Sequence, residues 1–212
     1  MRSAPLLLLL AASAGAEPRP KLAAHYAALF ENGRTWVYDT SLTFYSGSED
    51  EHTHKMLKQT DRSTVTCKVA DVVTRKSALV SHITCAPDSN RKFHVDGYWA
   101  GTAKGLWSLG RDEAPGDDEL AEILKDPPVI AAAPKAFRKV EKDKDSLDTK
   151  HNEFIHGIKA APGGWCVFAD STNGDPDGGV QTTCYIAGVG IANSLDDIGG
   201  ELNRFEYTAR RK

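Results

Sequence analysis

The sequence has no marked excess of charge of either sign. Its 212 residues include 26 lysines and arginines against 29 aspartates and glutamates, which gives a formal net charge of −3. Proteins that bind nucleic acid through its phosphates need a strongly basic surface. The composition therefore argues against a nucleic-acid partner.

The sequence also lacks an apolar run long enough to cross a bilayer, which takes roughly 20 residues. Its most apolar stretch is the leucine run at residues 6–10. The basic start before this run and Ala14-Gly15-Ala16 after it are typical of a secretory signal peptide. We expect a signal peptide over residues 1–16, a single β-rich domain over residues 17–212, no membrane span and a secreted or periplasmic location.

Signatures of known catalytic sites are missing as well. The chain has no G-x-S-x-G nucleophile motif, and its four cysteines, an even number in an exported chain, favour disulfides over a free reactive thiol. Acidic residues are too numerous for a catalytic pair to be chosen without geometry. We therefore assign no catalytic residue, although an exported hydrolase whose acidic and histidine residues converge only in the fold stays an alternative.

The cysteines fall into two pairs with the same spacing, Cys67 with Cys85 and Cys166 with Cys184. Three pairings are possible. Local pairing places the midpoint of one hairpin at Lys76 and of the other in the Asn-Gly-Asp-Pro-Asp-Gly loop, and both midpoints consist of turn-forming residues. The spacing predicts two disulfide-linked hairpins.

Alternating apolar residues predict strands along most of the mature chain, among them residues 35–45, 185–192 and 201–209. Residues 129–134 are interpreted as a crossing segment and residues 139–150 as a charged loop or edge strand. With Cys67 opposite Cys85, the register places Val69 against Ile83 and Val73 against Leu79. Two short helices are expected, at residues 21–32 and 117–125. We predict a mainly β protein of eight to ten strands, in a curved antiparallel sheet or open β-barrel, with a β-sandwich as the alternative.

Large aromatic residues are concentrated in the predicted strands. In the predicted register Trp165 lies opposite Tyr185, as a stabilising cross-strand pair. Most of these rings are expected in the core, and a subset is expected to line a pocket inside the curved sheet that binds an apolar ligand. The candidate pocket aromatics are Trp36, Tyr38, Trp99, Trp107, Trp165 and Tyr185.

One loop has the ligand pattern of a calcium site. Asn173, Asp175 and Asp177 alternate before a glycine, as in the first half of a calcium-binding loop, and Asp170 precedes them. The bidentate glutamate of such a loop is replaced by Cys184, so a plain hairpin turn is the competing interpretation. No cofactor other than Ca²⁺ is suggested. The group His151, Glu153 and His156 lacks the H-E-x-x-H spacing of a zinc site.

Three short motifs resemble exported β-rich proteins of Gram-negative bacteria that have no assigned activity. They are the stretches at residues 32–38 (Asn-Gly-Arg-Thr-Trp-Val-Tyr), 105–107 (Gly-Leu-Trp) and 188–191 (Gly-Val-Gly-Ile). The resemblance implies a periplasmic or secreted β protein. Our leading hypothesis is an exported noncatalytic binding or interaction protein of the bacterial envelope, whose partner is a small apolar ligand or another protein. A calcium-stabilised structural module is a further alternative.

Overall fold

The computed structural model describes seven stretches of the chain. These are residues 19–46, 57–86, 95–110, 113–143, 152–173, 178–199 and 203–212. The expected signal peptide lies outside the described residues. Within them, no helix is both long enough and apolar enough to cross a bilayer.

Twelve strands form one antiparallel sheet that does not close. They are β1 (Thr35–Ser46), β2 (Leu57–Arg75), β3 (Ala78–Ala86), β4 (Gly97–Gly101), β5 (Gly105–Ser108), β6 (Ile130–Ala131), β7 (Phe137–Asp143), β8 (Asn152–Ala161), β9 (Gly164–Asn173), β10 (Gly179–Ile186), β11 (Gly190–Ile198) and β12 (Asn203–Arg211). Their order in the sheet is β6-β5-β4-β3-β2-β1-β12-β11-β10-β9-β8-β7. The predicted class, a curved antiparallel sheet, is confirmed. The predicted count of eight to ten strands is too low, because the segment interpreted as a crossing contains β6 and the segment interpreted as a charged loop or edge strand contains part of β7.

The sheet curls around a short helical segment near the N-terminus. This segment consists of α1 (Ala24–Ala27) and a 3₁₀ turn (Ala28–Phe30). Tyr26 donates a hydrogen bond to the Thr102 carbonyl, 2.8 Å away, just after β4. On the other side, the Gly188 amide before β11 donates to the Ala24 carbonyl at 3.2 Å. Contacts with both halves of the sheet place this segment on its concave side, which we call the inner face.

The predicted helix at residues 21–32 is therefore much shorter than expected. Leu29 and Phe30 are buried between the two halves of the sheet. Gly190 has a φ of +80°, and a Cβ atom there would lie 2.9 Å from Leu29 Cδ2. Close packing inside the curl thus replaces the regular helix that the apolar spacing suggested.

The second helix, α2 (Asp117–Ile123), covers part of the opposite, outer face. Its Leu120 is fully buried with Val80, Ala100 and Trp107 in a separate apolar cluster. The sheet is thus packed on both faces in its first half.

Both predicted disulfides are confirmed, Cys67–Cys85 and Cys166–Cys184. The expected pairing of Val69 with Ile83 is also confirmed. The expected pairing of Val73 with Leu79 is wrong, because a β-bulge after Val69 shifts the register by one residue and pairs Val73 with Val80.

His25 on α1 provides a test of how the helical segment responds to pH. Its side chain is buried, and its Nε2 lies 3.2 Å from the Ala131 carbonyl of β6. Burial lowers the pKa of His25, although the contact with Ala131 acts in the opposite direction. A histidine with a lowered pKa in the folded state takes up a proton more readily when the protein is unfolded, where its pKa is about 6.5. The folded state therefore has its full stability above that pH and loses stability as the pH falls from about 6.5 towards the folded-state pKa.

We therefore expect the melting temperature to fall between about pH 7.5 and pH 5.5, and to fall less in His25→Gln. The glutamine can still donate to the Ala131 carbonyl but does not take up a proton. Thermal denaturation of both proteins at the two pH values measures this difference. An equal fall in the variant would show that another group controls the pH response.

Candidate functional site

The most distinctive cavity lies where the sheet fails to close. Strands β6 and β7 are the two edges of the sheet, yet only residues 132–136 separate them in sequence. A cavity of about 530 Å³ opens between these edges. We call it the seam cleft; it is lined by Pro127, Pro128, Val129, Ala131, Phe137, His156, Gly157, Ile158, Val167, Phe168, Ala169, Gln181, Thr182, Thr183 and Tyr185.

One wall of the seam cleft is the segment before β6. The Val129 amide donates to the Leu106 carbonyl at 2.8 Å, which fixes this segment along β5. Pro128 packs closely on Gly105, where an added Cβ would lie 2.6 Å from the Pro128 Cβ. The wall is therefore apolar and held in place by the neighbouring strand.

The floor of the seam cleft is the inner face of β8, β9 and β10. Ile158, Val167 and Thr183 are aligned across the three strands. Side chains that are directly opposite on one face of an antiparallel sheet contact one another. Tyr185, fully enclosed, continues the floor towards the core, and burial raises the pKa of its hydroxyl well above its ordinary value. The side chains of Ile158, Val167, Thr183 and Tyr185 are therefore uncharged.

A more polar row of side chains follows the floor, one step further from α1. His156, Ala169, Gln181, Asp196 and Tyr207 are aligned across β8 to β12. We call these five residues the polar row. Its first three members line the seam cleft, and the other two continue it along the inner face. Polar and apolar groups are therefore arranged in layers along the strands.

His156 is the notable member of this row. Its Nδ1 atom is buried and has no hydrogen-bond partner in the described part of the protein. The rings of Phe137 and Phe154 flank the imidazole, with centroids 6.1 Å and 5.4 Å away. An unpaired buried polar atom costs about 1–3 kcal/mol. A ligand group that pairs with His156 would recover part of that cost.

No protein-family model, curated protein or solved structure matches this chain. The resemblance of its three short motifs to exported proteins of Gram-negative bacteria stays a prediction. The geometry of the chain's own residues therefore carries the functional argument.

The six candidate aromatics divide between the core and the seam cleft. Tyr185 lines the cleft, opposite Trp165 as predicted. Trp165 itself packs against the main core beside the floor. The other four fill space elsewhere: Trp36, Tyr38 and Trp99 belong to the main core and Trp107 to the cluster under α2.

The candidate calcium ligands are only partly described. Asp175 and Asp177 lie outside the described residues, as does the side chain of Asn173. Asp170 accepts hydrogen bonds from the Thr172 amide at 3.0 Å and the Thr172 hydroxyl at 2.7 Å, and these bonds lower its pKa. Among the described residues no group of three or more potential metal ligands is present.

A second cavity, of about 650 Å³, lies beside β2, β1 and β12. Asp39, Arg62 and Arg210 are among its lining residues. Asp39 is already paired with Lys212 at 2.9 Å, and this contact lowers the pKa of the carboxyl. This cavity is larger, but it is a polar groove, and the negative charge of Asp39 is already neutralised by Lys212. We therefore place the candidate site at the seam cleft.

Sequence reasoning missed most of the residues of the seam cleft. Val129 stood in a segment interpreted as a crossing, Phe137 was assigned to no element, and His156 was weighed only as a metal ligand. The alternation of Phe154, His156 and Ile158 was the available signal, since it places all three on one face of a strand.

Proposed function

We propose that this chain is an exported, noncatalytic protein of the bacterial envelope that holds a small apolar ligand in the seam cleft. The observation that carries the proposal is a mainly apolar cavity of about 530 Å³ at the open edge of the sheet. Ligand sites in proteins typically measure roughly 300–1,000 Å³ and combine an apolar lining with a few polar groups.

Two exposed apolar side chains at the cleft support this proposal. Val129 is 37% exposed on the β6 side, and Phe137 is 47% exposed on the β7 side. Both line the cleft. A ligand seated between them would remove their apolar surface from water, which is favourable by roughly 25 cal/mol per Å².

The cysteines support the proposed location of the protein in the periplasm or outside the cell. All four form disulfides, which are stable in oxidising surroundings such as the periplasm or the extracellular space. The signal-peptide pattern at residues 1–16 agrees with export.

The hydrolase alternative finds less support at this site. Within the described residues, the cleft lining includes one histidine and no carboxylate. Glu141, two residues beyond Lys139 on β7, forms an ion pair with that lysine. The residues that meet at the cleft are therefore better suited to holding a ligand than to acid–base chemistry.

Filling the cleft tests the proposal. The uncharged dye N-phenylnaphthylamine is titrated into oxidised protein of residues 17–212, and its fluorescence reports binding. In Ala169→Trp, the indole is introduced at the floor of the cleft, and we expect at least a tenfold loss of affinity because the ligand's space is occupied. Ala86→Trp, at an exposed position on β3, is the matched control and is expected to bind like the parent protein.

Both variants must retain two disulfides by mass and a cooperative thermal transition. If the parent protein shows no saturable dye binding, or both tryptophan variants bind equally well, the seam cleft is not the ligand site.

A further inference from the structure

We infer that the ligand of the seam cleft is an uncharged amphiphile, with an apolar chain and a polar group that both donates and accepts hydrogen bonds. This inference rests on the proposed function, since it names the class of ligand that the same site selects. It follows from the layers of the inner face and from the chemistry of the groups in each layer.

The layers give the orientation of the ligand. The deep layer, formed by Ile158, Val167 and Tyr185, is mainly apolar and adjoins the core around α1. His156 and Gln181 form the next layer, further along the same strands. A chain in the deep layer would therefore place the attached polar group beside His156 and Gln181.

Beyond the polar row the inner face becomes apolar again. Phe154 follows His156 on β8, and Ile198 pairs with Phe205 across β11 and β12. All three are partly exposed, at 41%, 49% and 38%. The polar row thus lies between two layers rich in apolar side chains, with Glu141 of β7 opposite Phe154 in the outer one. This arrangement favours a ligand with one small polar group over a ligand that is polar throughout.

The polar groups that line the cleft share one property. Imidazole, primary amide and hydroxyl groups can each both donate and accept hydrogen bonds, and these are the groups of His156, Gln181 and Thr183. A hydroxyl or amide on the ligand has the same dual character and can satisfy them, including the unpaired Nδ1 of His156 after rotation of the ring. A carboxylate only accepts, and a quaternary ammonium group does neither.

The charges around the cleft also favour an uncharged ligand. The lining within the described residues includes no aspartate, glutamate, lysine or arginine, so a charged ligand group would lose hydration without gaining a partner of opposite charge in the lining. Lys139, directly opposite His156 on β7, is already paired with Glu141, and Asp196 lies directly opposite Gln181 in the polar row. A ligand carboxylate beside Gln181 would also be repelled by the carboxylate of Asp196.

Three probes with the same dodecyl-length chain test the inference. They are monododecanoylglycerol, which is uncharged, dodecanoate, an anion, and dodecyltrimethylammonium, a cation. Each probe is titrated, below its micelle concentration, against the complex of the oxidised protein with N-phenylnaphthylamine, and displacement of the dye reports its affinity. We expect the uncharged probe to bind at least tenfold more tightly than either charged probe.

Two histidine variants test the role of the polar row. His156→Phe keeps an aromatic ring between Phe137 and Phe154 but removes the nitrogen atoms. We expect it to bind the uncharged amphiphile roughly threefold to tenfold more weakly than the parent protein does, the effect of one hydrogen bond. The control is His82→Phe, because His82 stacks on Tyr98 at 4.3 Å on the outer face, away from the cleft.

The outcomes separate this inference from the proposed function. If neither the dye nor any dodecyl probe binds, the proposed function fails. If the dye binds and a charged probe matches the uncharged one, only the ligand class is wrong. If His156→Phe and His82→Phe bind the uncharged amphiphile equally well, the polar row does not recognise the head group.

Discussion

Replacing Leu29 by alanine is expected to lower the free energy of unfolding by about 2–5 kcal/mol, the usual cost of removing a fully buried leucine side chain. Leu29 is completely enclosed in the main core and packs against Gly190 at the start of β11. The concave sheet is held around this segment, so a cavity here removes contacts in the interior of the curl. Urea denaturation followed by tryptophan fluorescence measures the change.

Val73→Ala is the matched control for this prediction. Val73 is on β2 but is 36% exposed, and substitutions at such surface positions usually change stability by less than about 0.5 kcal/mol. If Leu29→Ala is no more destabilising than Val73→Ala, the N-terminal helical segment does not contribute to the core as described.

Removing the disulfide beside the seam cleft is expected to have the second large effect. The double variant Cys166→Ala/Cys184→Ala loses a cross-link between residues 18 apart in sequence, which is expected to cost about 3 kcal/mol by the loop-entropy estimate. Strands β9 and β10, which this disulfide joins, form much of the cleft floor. We therefore expect weaker binding of N-phenylnaphthylamine near the denaturation midpoint as well as a lower midpoint.

The other disulfide provides the comparison. Cys166 and Cys184 are also buried, but Cys67 belongs to the main core and Cys85 packs against it. Cys67→Ala/Cys85→Ala therefore loses packing in the main core in addition to a cross-link of the same sequence separation. This second double variant should be the less stable of the two. Reductant should destabilise the parent protein but leave a protein that lacks both disulfides unchanged. Equal urea midpoints for the parent and either double variant would contradict the prediction.

Local patterns in the sequence were sufficient for much of the fold. The alternation of apolar residues identified β1 almost to its ends, residues 35–45 against the observed Thr35–Ser46. Equal cysteine spacing and turn-forming midpoints gave both disulfides, because in an antiparallel hairpin the pairing of neighbouring strands follows from the position of the turn.

The errors arose where one residue or one long-range contact changed a local pattern. The bulge after Val69 is an insertion of one residue, and it shifts the pairing of Val73 without altering the apolar alternation that suggested the strand. Residues 185–192 were expected to form one strand. Gly188 and Gly190, both with positive φ, instead allow a turn between β10 and β11 where α1 docks.

Sequence alone thus determined the β class, the strand alternation and the disulfide pairs, since each depends on residues near one another in the chain. Only the tertiary structure decided where a ligand can bind. Val129, His156 and Tyr185 come from distant segments, and they meet because the sheet curls around α1 until its two edges face each other. That curvature arises from packing across the whole sheet, and no local pattern in the sequence encodes it.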